Sequence, residues 1–155
     1  MTPPETTTEL LSTLDRTWAD LTHAVSTLDD RDLAEPRDPA GWAAKDHLMH
    51  VAAWGEAFLA GLDGRPRHEA LGIDERTDRE GDDDAINAAI FARHRDRTPG
   101  EVVDALRATH SAVRARAAAL DDPDALARVP GNTFEHYAEH LGYIRTLVAS
   151  RAGRP

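Results

Sequence analysis

Eight histidines and no cysteine set the chemical repertoire of this 155-residue chain. Without cysteine, disulfides, thiolate metal sites and a cysteine nucleophile are excluded, and any thiol chemistry needs a thiol brought from outside. In FEHYAEHLGYI, His136 and His140 stand four residues apart, so on a helix they project from one face, one turn apart, and can ligate one metal. That spacing alone is a loose signal. A catalytic metal site needs a third protein ligand and an open position for water or substrate. His50 is the candidate and His47 competes with it. Asp46 lies four residues before His50 and Trp54 four after, which would place an orienting carboxylate behind the ring and an apolar wall beside it.

Tyr143 follows His140 by three and His136 by seven, sharing their face. It can donate a proton or a hydrogen bond to a metal-bound ligand, or pack in the core with its hydroxyl wet. Trp42, Trp54 and Phe58 can wall a small-molecule pocket between helices, or be plain core. Glu135 and Glu139 flank the histidine pair, but helical neighbours point about 100° apart, so neither is an automatic ligand. His23, His68, His94 and His110 have no comparable partner pattern and read as surface residues.

Helices must position these groups. Leu10, Leu11, Leu14, Trp18, Leu21, Val25 and Leu28 recur at helical spacing, which predicts a helix from about Glu5 to Leu28. DDRDLAEPRDPAG reads as a turn-rich connection, and a second helix runs from about Trp42 to Leu62. Residues 65–84 are charged and aperiodic and read as a long exposed crossover or lid. A helical region starts near Asp82 with an acidic first turn. Thr98, Pro99 and Glu101 form a capping box opening a helix to about Leu120. DDPDALARVPGN reads as a loose turn plus loop, and a last helix spans about Thr133 to Ser150 before the tail RAGRP.

This length supports one core, so residues 1–155 are read as a single domain. Few aromatics and few β-branched residues favour an all-α class, and four long helices plus a short one make it a four-helix bundle with a long crossover connection. A formal charge of −10 with no basic face argues against a nucleic-acid partner. MTPPETTTEL lacks a basic start and an apolar core of signal-peptide type, and no window approaches a membrane span. The expected location is cytoplasmic, with no membrane partner. A homodimer is compatible with a small bundle, although no decisive patch stands out.

GWAAKDHLMHVAAW resembles the second-helix signature of the DinB/YfiT-like superfamily, in which Gly-Trp leads into a helix bearing the first metal histidine, here His50. HYAEHLG resembles its last-helix motif, whose two histidines match His136 and His140. INAAIFARHRDRTPGEVVDAL and LDDPDAL resemble the ClbS/DfsB-like branch, and the chain is also similar to mycothiol-dependent maleylpyruvate isomerase N-terminal domains. Many members carry Gln after the Leu-Gly where this chain has Tyr143, so a role of that glutamine does not transfer.

The resemblance implies a divalent metal, zinc or nickel, held by His50, His136 and His140. It further implies a low-molecular-weight thiol such as mycothiol as co-substrate, attacking an electrophilic small molecule in detoxification or self-resistance. Two alternatives stay open at this point: a metal-dependent hydrolase of a reactive metabolite that uses no thiol, and a protein that sequesters a small molecule without turnover.

Overall fold

The computed structural model describes residues 6–152. Helix α1 (Thr7–Ser26) begins at a reciprocal cap: Glu9 N–H donates to Thr6 Oγ1 (3.2 Å) and Thr6 N–H donates to the Glu9 carboxylate (3.0 Å). Glu5, the expected start, lies outside the described residues, as does the end of the tail from 153. Leu10, Leu14 and Leu21 point into the core. Leu14 and Leu21 are completely covered, and each such burial is worth roughly 1.5–3 kcal/mol. The connection that follows contains a short helix, α2 (Asp30–Ala34), which seats Leu33 in the core. Helix α3 (Ala44–Leu62) starts two residues later than the periodicity predicts, because Trp42 and Ala43 still belong to the preceding loop.

Residues 65–84 depart from the expected exposed lid. They form α4 (Arg67–Leu71) and α5 (Glu75–Glu80), followed by α6 (Asp83–His94). Leu71 is 1% exposed and packs with Ile86 and Ile90 against Ala53 and Ala57 of α3, a second apolar cluster beside the main core. A single leucine anchors the segment, too sparse a signal for a periodicity argument. Gly72 ends α4 in the left-handed region at φ 65°. The Arg93 guanidinium lies where a β-carbon would stand and donates to the Gly72 carbonyl (2.8 Å).

Helix α7 (Pro99–Ala119) opens on the predicted capping box, with Glu101 N–H on Thr98 Oγ1 (3.2 Å) and Thr98 N–H on Glu101 (3.0 Å). DDPDALARVPGN is not a loop but α8 (Pro123–Asn132). Pro123 sits in the first turn, where no donor is needed, and Asp122 accepts Ala125 N–H (3.2 Å). Pro130 lies within the last turns, and Thr133 breaks the chain direction before α9 (Phe134–Ala152).

The four longest helices, α1, α3, α7 and α9, of 20, 19, 21 and 19 residues, pack in a ring: α3 touches α7 and α9, and α1 touches the same two. Gly55 lets α3 and α7 approach, since a β-carbon there would meet the Thr109 methyl at 2.6 Å. The all-α expectation holds, with the shorter helices packed around this ring; no β-strand occurs among the described residues. No helix among them is long and apolar enough to cross a membrane.

Candidate metal centre

The site is built where the loop before α3 meets the first two turns of α3 and of α9. Gly41, at φ 90°, turns the chain so that Asp38 N–H donates to Trp42 O and Trp42 N–H donates to Asp38 Oδ1, both 2.9 Å. The other Asp38 oxygen stands 2.8 Å from His47 Nε2. A carboxylate only accepts, so His47 carries its proton on Nε2 and, when neutral, presents a lone pair on Nδ1. That nitrogen is 3.0 Å from His140 Nδ1, which must then donate. The chain Asp38–His47–His140 thereby leaves His140 Nε2 as a free base.

His50 stands beside them, with its Nε2 3.0 Å from Nε2 of His136. One ligand nitrogen from each of His50, His136 and His140 lies within 4.8 Å of the others. Ligands of a tetrahedral zinc at ~2.0–2.1 Å stand about 3.3 Å apart, so the triad suits a small divalent ion. Burial, and then the neighbouring His136 and His47, pushes His50 down to about 3. Burial likewise holds His136 and His140 below the usual histidine value, His140 also through its histidine neighbours. Neutral imidazoles converging on one point offer the lone pairs that a metal needs. The remaining ring nitrogen of His50, Nδ1, is buried with no protein partner.

A cavity of ≈ 570 Å³ opens on the triad. Trp42 and Trp54 form its apolar wall, with Trp42 5.3 Å from the His50 ring. Trp54 Nε1–H donates to Asn87 (3.2 Å), and the Arg67 guanidinium lies 5.5 Å from its ring centre. Asp38, Asp83 and Glu139 outnumber Arg67 on the lining, an acidic balance that favours a cation over an anion at the triad. Tyr143, 46% exposed, stands at the mouth with its ring 5.2 Å from that of His140. Its hydroxyl donates to Glu139 (2.8 Å), which pushes its pKa up.

Most of the residues singled out in the sequence converge here: His50, His136, His140, Trp42, Trp54 and Tyr143 all line the cavity. Two do not act as expected. Asp46 does not sit behind the His50 ring as its hydrogen-bond partner. Its carboxylate accepts Ala43 N–H (2.8 Å) at the start of α3 and meets buried Lys45 at 3.3 Å, while the Lys45 ammonium donates to Arg95 O (2.6 Å). A carboxylate at the third helical position satisfies a free backbone donor before it can reach a ring one turn on. Phe58, two turns past His50, belongs to the main core and not to the cavity.

His94 and His110 are buried, not surface residues. His110 stacks on Trp18 at 3.8 Å and is hydrogen-bonded to the Tyr137 hydroxyl (3.0 Å), all within the bundle. Sequence reasoning left His47 as a rival ligand and missed Asp38 altogether. The signal for Asp38 was present in RDPAGW, an aspartate opening a Pro-Gly turn immediately before the histidine helix.

A sequence model of the DinB superfamily matches residues 13–145. No curated protein and no solved structure matches the chain.

Proposed function

The chain belongs to the DinB superfamily, and from that premise we propose that it is a metal-dependent enzyme in which His50, His136 and His140 hold a divalent ion, zinc or nickel. The reading rests on one observation above the others: three neutral histidines, His50 and His140 buried and His136 partly so, with ligand nitrogens within 4.8 Å of one another at the floor of a cavity. A divalent ion there would supply Lewis acidity, lowering the pKa of a low-molecular-weight thiol, mycothiol-like, or of water so that a nucleophile exists near neutral pH. The substrate is then an electrophilic small molecule, and the outcome is detoxification or self-resistance.

The chain's own residues do the rest. Asp38 and His47 hold the His140 ring in one orientation and one tautomer. Trp42 and Trp54 exclude water from one wall and give an electrophile a flat apolar surface to lie on. Tyr143 holds a proton at the mouth, shared with Glu139, where it can be passed to a developing anion on the substrate. No side chain here needs to act as nucleophile.

The test starts with untagged protein, its bound metal measured by elemental mass spectrometry. About one metal per chain is expected, lost in His50→Ala, His136→Ala and His140→Ala. The loaded protein is then incubated with a thiol and an electrophile. A thiol adduct supports thiol transfer, and a product carrying water assigns the chain to the hydrolases. No metal after reconstitution with zinc or nickel removes the enzyme reading and leaves ligand sequestration.

A further inference from the structure

Beside the triad, α3, α6 and Trp42 enclose a second, much smaller void, and His50 and Trp42 line both it and the cavity. It is walled by Trp42, Met49, Ile90 and Phe91, with His50, His94 and Asp46 as its polar residues. Its volume is ≈ 10 Å³, about the space taken up by the centre of one water molecule.

Two buried side-chain nitrogens without a protein partner occur among the described residues: Nδ1 of His50 and Nδ1 of His94. Both residues are more than nine-tenths buried and both line this void. A buried polar atom left unpaired costs roughly 1–3 kcal/mol, so two of them, on two residues that line one water-sized void, call for a partner there. Each Nδ1 is a donor or an acceptor according to its ring's tautomer, and a partner able to donate and to accept serves either case. Water does both.

We propose that one water molecule is held between His50 and His94, accepting the Nδ1–H of His50 and donating to Nδ1 of His94, and that His94 is thereby a positioning residue for the metal site. The inference rests on the metal reading above in one respect. Ligation through the Nε2 that faces His136 requires the proton of His50 to be on Nδ1. His94, accepting from the water, orients it to hold that proton there, much as His47 directly holds the proton of His140. Each of the two rings is then fixed from behind, one by an aspartate–histidine pair and the other by a histidine–water pair.

The experiment measures zinc affinity by chelator competition for the wild-type chain, His94→Phe and His94→Asn, with folding checked by thermal melts. Asparagine places an oxygen near the position of Nδ1 and keeps the acceptor; phenylalanine keeps the bulk and removes it. The expected result is a 10–100-fold loss of affinity in His94→Phe and recovery to within a few-fold in His94→Asn. Proton–nitrogen correlation spectra of the wild-type imidazoles supply a readout independent of any variant. In the zinc-loaded chain they should show His50 protonated on Nδ1, with a cross-peak from that proton to a slowly exchanging water.

A His94→Phe chain that folds and binds zinc as tightly as wild type overturns the inference and leaves the proposed function standing. A His50 protonated on Nε2, or a His50 Nδ1–H with no water cross-peak, overturns it as well. A wild-type chain that binds no zinc overturns the metal reading itself.

Discussion

Nδ1 of His47 and Nδ1 of His140 face each other at 3.0 Å, although 93 residues separate them in the chain. Two identical atoms can hydrogen-bond only if one ring gives a proton and the other a lone pair, and Asp38, 2.8 Å from the far side of His47, decides which. Asp38→Asn can offer His47 a donor in place of an acceptor, which reverses the ring's polarity and withdraws the acceptor from His140. The expected consequence is a 10–100-fold fall in zinc affinity, with His47→Phe falling by a similar factor and His140→Ala binding none. Chelator competition measures all three; affinity unchanged in Asp38→Asn would show that the chain of rings does not tune the site.

Phe58 and Trp54 lie four residues apart on α3 yet answer to different demands. Phe58 is 6% exposed within the main core, so Phe58→Ala should cost about 3–5 kcal/mol of stability in urea unfolding. Trp54 lines the cavity and caps it with Asn87 and Arg67, so Trp54→Leu should cost little stability and raise KM for the electrophile several-fold. The reverse pattern would move the cavity wall elsewhere.

Tyr143→Phe keeps the ring against His140 and removes only the hydroxyl that Glu139 holds. Metal content should be unchanged, while kcat falls by about 10²-fold if the hydroxyl delivers a proton in the slow step. Elemental analysis and steady-state rates on the same preparation separate the two effects.

Gly55→Ala tests the close approach of α3 and α7. The added methyl would stand 2.6 Å from the Thr109 methyl, and Thr109 is held by its hydrogen bond to Glu56 (2.8 Å), so the helices must separate. A loss of about 1–3 kcal/mol in urea unfolding is expected, and Thr109→Ser in the same chain should recover part of it.

His110 makes the fold acid-sensitive from within. Burial, countered in part by Asp15, puts it at about 4 in the folded chain, against about 6.5 when unfolded. The unfolded chain takes up the proton first, so the contribution of the neutral ring is complete above pH 6.5 and declines as the pH falls toward 4. His94, also at about 4 through burial and then its arginine neighbours, adds to the same window. Urea midpoints between pH 7 and 4 should therefore fall, and fall less steeply in His110→Gln, which starts from lower stability.

Much of this was legible from residue order alone. Thr98 and Glu101 mark a helix start because a capping box is a local device, complete within four residues. His136 and His140 share a face because helical spacing guarantees it. What stayed hidden depends on contacts between distant segments. Leu71 could not be known to bury itself against Ala53 until α4 folded back on α3, and one leucine among charges carries no period. Asp46 and Asp38 are both acidic residues near His50 in sequence, and only the loop geometry shows that the first is spent on a backbone N–H while the second reaches a ring. His110 and His94 looked solvated because no pattern in one chain distinguishes a histidine on an outer face from one turned toward a neighbouring helix.

Helix α3 packs against the main core on one side and against the Leu71–Ile86–Ile90 cluster on another, and it carries two of the site's histidines between them. Of its 19 residues, 14 are buried. A library that randomises each position of the chain in turn should therefore find this segment the least permissive, rejecting even conservative exchanges at alanines and glycines that elsewhere would pass unnoticed. The outward faces of α1 and α7, rich in arginine and aspartate, would absorb most of the neutral variation. Relatives diverging from this chain are expected to keep the text of α3 long after their surfaces have become unrecognisable.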